Sequence, residues 1–155
     1  MLKPSPLDLE PGSLEPADLA APAVDELERQ RSSAAKWHRR TLSIVIPTYN
    51  EQDNVRRMYT RLTRALDDQQ LEWELIFSVD PCTDRTEQLI LQLCEEDPRV
   101  KMLRFSRRFG QPMATIAGLE AASGDAVVVV DCDLQDPPEL IPELVRRWRE
   151  GYDVV

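Results

Sequence analysis

Two carboxylates one residue apart, Asp131 and Asp133, close an apolar run, AVVVV at residues 126–130. Gln135, Asp136 and the pair Pro137–Pro138 follow directly. In extended chain, residues i and i+2 point the same way, about 6.5 Å apart. Carboxylates so placed repel each other unless a cation lies between them. Hard oxygen donors with room for water suit Mg²⁺ or Mn²⁺, usually shared with substrate phosphates. The stretch therefore points to a metal–diphosphate site. The plainer alternative is that the acids end a strand and open a turn. Cys132, between them, reads as a residue that fills the space separating the two acids.

Other residues could join such a site. Asp80 ends an apolar run where packing requires no acid. It could accept hydrogen bonds from a base or ribose, or cap the helix that follows. Tyr49, beside Asn50 and Glu51, could stack on a base or cover the core. Arg107 and Arg108, close to Gly110, offer planar donors suited to phosphate oxygens, with at least one of the pair expected to be solvated. Cys82 and Cys132 have no histidine base within their loops, so neither reads as a thiolate nucleophile.

These residues need elements to position them. Leu42–Pro47 is β-rich and predicts a first strand, with a loop at Thr48–Gln52. Asp53–Leu66 carries Val55, Met58, Tyr59, Leu62, Ala65 and Leu66 on one face of a helix, capped by Asp53 or Asn54. Trp73–Val79 predicts a second strand, followed by a helix to about Glu96 that Thr83 or Asp84 caps and Pro98 stops. Val100–Phe105 predicts a third strand and Pro112–Ala122 a helix, with Pro112 in its favoured first turn and Gly124 at its end. The Ala126–Val130 run reads as a strand buried on both faces. The last helix uses Asp136 as its cap and Leu140, Ile141, Leu144, Val145 and Trp148 as its apolar face. Tyr152–Val155 reads as the opening of a further strand. Strand and helix alternate, which predicts an α/β fold with a parallel sheet and helices on both faces. All four loops that follow strands then meet at one edge. An unfinished sheet also predicts exposed apolar surface.

Composition removes several function classes. At 155 residues with net charge −9, the chain is not built to hold nucleic acid by charge. A single histidine, His38, argues against histidine dyads and histidine metal sites. Cys82, Cys94 and Cys132 show no zinc spacing and no disulfide framework, so reduced thiols in a cytosolic setting are expected. No signal peptide and no apolar run near the roughly 20 residues that span a bilayer are evident. Residues 1–40 form a proline-rich tail: Met1–Ala23 reads as disordered, and Val24–Arg40 as a short helix. The basic end of that helix, with Trp37, reads as a solvated linker or a contact for anionic lipid headgroups.

The segments IVIPTYNEQDNV, VDPCTDRT and FSRRFGQPMATIAGLEAASGDAVVVVDCDLQDPPE, in this order and spacing, resemble the family 2 glycosyltransferases of the GT-A fold. They are most similar to the polyprenyl-phosphate (dolichol- or undecaprenyl-phosphate) sugar transferases. The resemblance runs from Leu42 to Val155. It implies a Rossmann-like parallel sheet, and a nucleoside held by Pro47, Tyr49, Glu51 and Asp80. It also implies a divalent cation and diphosphate at Asp131, Cys132 and Asp133, with Gln135 a further metal-site position and Arg107 in the phosphate-proximal loop. The implied reaction moves a hexose from a UDP- or GDP-sugar to a polyprenyl phosphate with inversion, at the cytoplasmic face of a membrane. No catalytic residue is assigned. Two departures stand out. The family's usual Asp-Asp-Gly-Ser is Val79-Asp80-Pro81-Cys82 here, which keeps the nucleoside acid but not the flexible loop. Family members also continue well beyond this length with acceptor-binding residues, so the chain resembles a C-terminally truncated nucleotide-binding part. Two competing readings are an inactive nucleotide-sugar-binding module and a haloacid-dehalogenase-type phosphatase with Asp131 as nucleophile and Asp133 as acid. The phosphatase reading lacks its usual Thr or Val at Gln135 and a downstream lysine or acid pair.

Overall fold

The computed structural model describes residues 40–155, so the expectations for residues 1–39 lie outside the described residues. Four strands, β1 (Thr41–Thr48), β2 (Glu72–Val79), β3 (Val100–Arg104) and β4 (Ala126–Val129), form one sheet in the order β3-β2-β1-β4. Every pairing is parallel. The helices are α1 (Val55–Leu66), α2 (Thr86–Glu96), α3 (Gln111–Ala121) and α4 (Ile141–Arg149). Short 3₁₀ turns at Asp67–Gln69 and Pro138–Leu140 complete the elements. The chain winds outward from β1 through β2 to β3, then returns to place β4 on the other side of β1. The order thus reverses between β1 and β4. In open α/β sheets the ligand crevice lies at such a reversal, beyond the carboxyl ends of the strands.

Alternation along the two central strands builds the core. Leu42, Ile44 and Ile46 of β1 and Trp73, Leu75, Phe77 and Val79 of β2 share one cluster with Val55, Met58, Leu62 and Leu66 of α1. Ile90 and Leu93 of α2 and Ile141 and Val145 of α4 join it. The 3.6-residue spacing of the α1 set is what puts these side chains on one stripe. Ser43, Val45, Glu74, Ile76 and Ser78 point the other way, towards the face on which α3 packs across β1 and β2. Three helices therefore cover one face and one covers the other. α3 lies close because Gly118 has no side chain: a Cβ there would sit 2.3 Å from Val45 Cγ1. Gly118→Val should destabilise the fold by about 1–3 kcal/mol through overpacking, measurable as a lower urea midpoint with an unchanged slope.

Four expectations need correction. β4 is an edge strand, not a strand buried on both faces: Val127 and Val129 are 39% and 41% exposed. Among the described residues β4 pairs only with β1, and the two valines lie in register with Ser43 and Val45, on the α3 face. Tyr152–Val155 forms no strand; a β-strand is held by its ladder, and these residues have no sheet partner. Leu140 is 58% exposed and belongs to the 3₁₀ turn, so α4 buries Ile141 and Val145 without it. Asp136 likewise does not cap α4, whose N-cap is Leu140.

Candidate functional site

The β1–β4 ladder ends at Val45↔Val129, whereas the β1–β2 ladder continues to Thr48↔Val79. β1 thus runs on alone on its β4 side, and Pro47, which has no N–H to donate, falls in that stretch. The divergence opens a cleft of about 250 Å³. Its walls come from all four strand-end loops: Tyr49 and Glu51 after β1, Asp80 after β2, Arg108 and Gly110 after β3, and Asp131, Cys132 and Asp133 after β4. Pro47 and the first-turn residue Gln111 complete the lining relevant to chemistry. Of the residues singled out from sequence, Gln135 and Arg107 do not line it. Gln135 is exposed, and its backbone N–H donates to Asp133 Oδ1 at 3.0 Å. Arg107 is exposed and lies over the Phe109 ring.

The loops are stitched to one another by side chains. Asn50, at φ 55°, takes the left-handed conformation that asparagine tolerates. From there its Oδ1 accepts the backbone N–H of Thr83 at 2.8 Å, and its own N–H donates to Cys82 Sγ. The Glu51 N–H donates to Thr86 Oγ1 at 2.7 Å, and Asp84 accepts the Thr86 N–H at 2.9 Å in the turn before α2, whose N-cap is Arg85 with no side-chain cap, not Thr83 or Asp84. Asn54 likewise makes no side-chain cap to α1; its Nδ2 donates to Glu51 Oε2 at 2.7 Å and fixes that carboxylate.

Asp80 has a role the sequence did not reveal. Its carboxylate is buried, and its two oxygens accept the backbone N–H groups of Phe109 and Gly110 at 2.9 and 2.8 Å. It does not cap α2. It anchors the β3–α3 loop, while each oxygen keeps a further lone pair able to accept another donor. Asp80→Ala should raise amide exchange at Phe109 and Gly110 by about tenfold or more, the loss of a charge-assisted hydrogen bond, with exchange in β1 unchanged. Gln111 extends the same linkage: its Nε2 donates to Asp131 Oδ1 at 2.8 Å. A polar residue in the first turn of a helix at the ligand edge is the signal that could have marked it.

The acid pair is presented differently by its two members. Asp131 is half-buried and Asp133 exposed, with Cys132 buried between them in the core cluster. Burial, reinforced by the charges of Glu51, Asp133 and Asp131, pushes the Cys132 thiol up to about 12. The thiol is therefore protonated, and not an activated nucleophile, at neutral pH. Leu134 then takes φ 66°, a left-handed conformation that costs a branched residue of order 1–3 kcal/mol. This turn ends the acid pair, and no glycine in the sequence announces it.

Among the described residues, no three His, Cys, Asp or Glu side chains converge as a complete cation cage. What the cleft offers is a pair of hard oxygen donors open to solvent. That suits a cation which keeps waters and takes its remaining ligands from phosphate oxygens. The lining carries four carboxylates, Glu51, Asp80, Asp131 and Asp133, against one guanidinium, Arg108. A lining of that net charge disfavours an anion that arrives without a cation.

A family model described as Glycosyl transferase family 2 matches residues 43–155. An uncharacterized glycosyltransferase of Bacillus subtilis (strain 168), YkcC, is 46% identical over 113 residues, covering 73% of this chain and 35% of that protein. A bactoprenol glucosyl transferase of Shigella phage SfV is 41% identical over 114 residues, covering 74% of this chain and 37% of that protein. The chain thus spans about a third of the length of these curated relatives. Among solved structures, glucosyl-3-phosphoglycerate synthase from Mycobacterium tuberculosis, in complex with Mn²⁺, UDP and phosphoglyceric acid, superposes with a TM-score of 0.60 at 27% identity. That superposition covers 78% of this chain and 43% of that one.

Proposed function

The chain belongs to glycosyl transferase family 2 and has its α/β GT-A architecture, and from that premise we propose that residues 41–155 are the nucleotide-sugar-binding part of a metal-dependent hexosyltransferase. The observation that carries the reading is the carboxylate pair Asp131 and Asp133 at the β1–β4 crevice, in a cleft that also carries Glu51 and Asp80. The donor is a UDP- or GDP-hexose. Asp131 and Asp133 would hold Mg²⁺ or Mn²⁺, which when bound neutralises charge on a departing diphosphate. Gln135, beside Asp133 though not in the cleft lining, would be a further metal-site residue.

The chain's own residues do the rest. Pro47, Glu51 and Asp80 line the side of the cleft on which the nucleoside would lie, with Glu51 fixed by Asn54 and Asp80 by the loop it anchors. Gln111 holds Asp131 in place from the start of α3. Buried Cys132 keeps the two acids apart without reacting. The acceptor is a polyprenyl phosphate, a reading supported by the similarity to a bactoprenol glucosyl transferase, and transfer inverts the anomeric carbon. A phosphate acceptor is already an anion, so the attack needs no protein base. The acceptor places the reaction at the cytoplasmic surface of a membrane. No helix among the described residues is long and apolar enough to cross one.

The test is calorimetric titration with UDP and GDP, each with and without Mn²⁺. Binding of one nucleotide that needs the cation is expected, and it names the base. A folded protein that binds neither nucleotide, or binds one equally well in EDTA, would overturn the reading. The second reading, nucleotide-sugar binding without transfer by this chain alone, predicts the same titration but no sugar on polyprenyl phosphate after incubation with the donor.

A further inference from the structure

Arg107 and Arg108 leave the β3–α3 loop in different directions. Arg107 lies over Phe109, 4.9 Å from the ring centroid, and Phe109 packs edge-on against Phe105. Arg108 lies over Tyr49, 4.0 Å from the ring centroid, and lines the cleft. Among the described residues it is the one cation lining that cleft, and it makes no salt bridge there. The loop that carries it is pinned by Asp80 through the two residues that follow, Phe109 and Gly110. A guanidinium on an aromatic face keeps its in-plane N–H donors free, because the stacking uses the π-face and leaves the donors at the edge.

We infer that Arg108 is the phosphate-recognising residue of this cleft, and that Tyr49 is a positioning residue which holds the guanidinium by its ring face instead of stacking on the base. The inference rests on the nucleotide-sugar reading and deepens it: the ligand class is a nucleoside diphosphate, met on one side by Arg108 and on the other by the Asp131–Asp133 cation site. It reassigns two expectations drawn from sequence, since the phosphate contact moves from Arg107 to Arg108 and the Tyr49 ring serves the arginine.

The 155-residue chain in Mn²⁺ is titrated with UDP and GDP, and nucleoside contact is followed by ligand-observed NMR with uridine and guanosine. Arg108→Ala should weaken the diphosphate by about tenfold or more, the loss of a charge-assisted contact, and leave the nucleoside signal unchanged. Arg107→Ala should leave both unchanged. Tyr49→Ala should reproduce the Arg108→Ala loss, and the double variant should lose no more than either single one. Tyr49→Phe, which keeps the ring, should bind like the parent. Arg108→Ala without effect on the diphosphate overturns the inference, as does a Tyr49→Ala loss that adds to it or extends to the nucleoside. If the unaltered chain binds no nucleoside diphosphate in Mn²⁺, the reading of the site falls and this inference with it. If it binds one and the arginine does not matter, only the inference falls.

Discussion

Asp131→Asn/Asp133→Asn should abolish cation-dependent nucleotide binding, lowering affinity at least about 100-fold, while the protein melts at or slightly above the parent temperature. Ligands to a bound cation are the residues whose loss costs most in a cleft with no other cation cage, and even outer-shell partners of such ions are worth about 10–100-fold. The fold should not suffer. Asp133 is exposed and Asp131 only half-buried, and the amide that replaces Asp131 still accepts the Gln111 side chain at the oxygen seen at 2.8 Å. Removing two like charges next to Glu51 relieves repulsion and does not break an ion pair, because neither acid has a salt-bridge partner among the described residues. Calorimetry with Mn²⁺ and with EDTA, alongside a thermal melt, separates the two effects. A double variant that binds UDP or GDP with the parent's metal dependence would mean that the cation sits elsewhere.

The largest effect on stability should come from a residue far from the cleft. Glu74 lies on the α3 face of β2 with its side chain 7% exposed, and its carboxylate gathers four donors. Oε1 accepts the Ser43 hydroxyl at 2.5 Å, the Ser123 N–H at 2.7 Å and the Ser123 hydroxyl at 2.9 Å. Oε2 accepts Lys101 Nζ at 2.5 Å. Ser43 in turn accepts the Gly124 N–H at 2.8 Å. This network ties the turn after α3 to β1 and β2. The fit is close, since a Cβ on Gly124 would lie 2.7 Å from Ser43 N. Glu74→Ala leaves the buried Ser43 hydroxyl without its acceptor, at about 1–3 kcal/mol, and also breaks the bonds from Lys101 and from the exposed Ser123, each worth about 0.5–1.5 kcal/mol. A loss of about 2–4 kcal/mol is expected, seen in urea denaturation. An unchanged midpoint would mean that water replaces the carboxylate without penalty.

The same residue sets an acid limit. Burial raises the Glu74 pKa, but the hydrogen bonds from Lys101, Ser43 and Ser123 outweigh it and bring the carboxyl from its ordinary 4.5 down to about 2. A depressed folded-state value stabilises above the unfolded-state pKa and is lost as pH falls through the folded one. Glu74 should therefore contribute fully above about pH 4.5 and progressively less towards pH 2. Glu74→Gln should flatten the stability profile across that window while leaving its slope near neutrality untouched.

The alternation of strands and helices, the buried stripes of α1 and α2, and the family itself were readable because each depends on local pattern: a period of 2, a period of 3.6, and a few motifs in fixed order. The acid pair was readable for the same reason, since Asp131 and Asp133 owe their shared direction to two residues of extended chain. The sequence by itself also determined that four polar loops must meet at one edge, because parallel strands joined by helices leave no other arrangement. Which side chains in those loops face the cleft was decided only by tertiary structure. Arg107 and Arg108 are chemically identical neighbours, and only the positions of Phe109 and Tyr49 send one outward and one into the cleft. Asp80 reads as a ligand or a cap, but a fold that brings residues 109 and 110 beside it makes it an anchor. The Val run reads as buried on both faces, yet its place at the sheet edge leaves Val127 and Val129 exposed. Each of these depends on contacts between residues distant in sequence, and no local periodicity encodes such contacts.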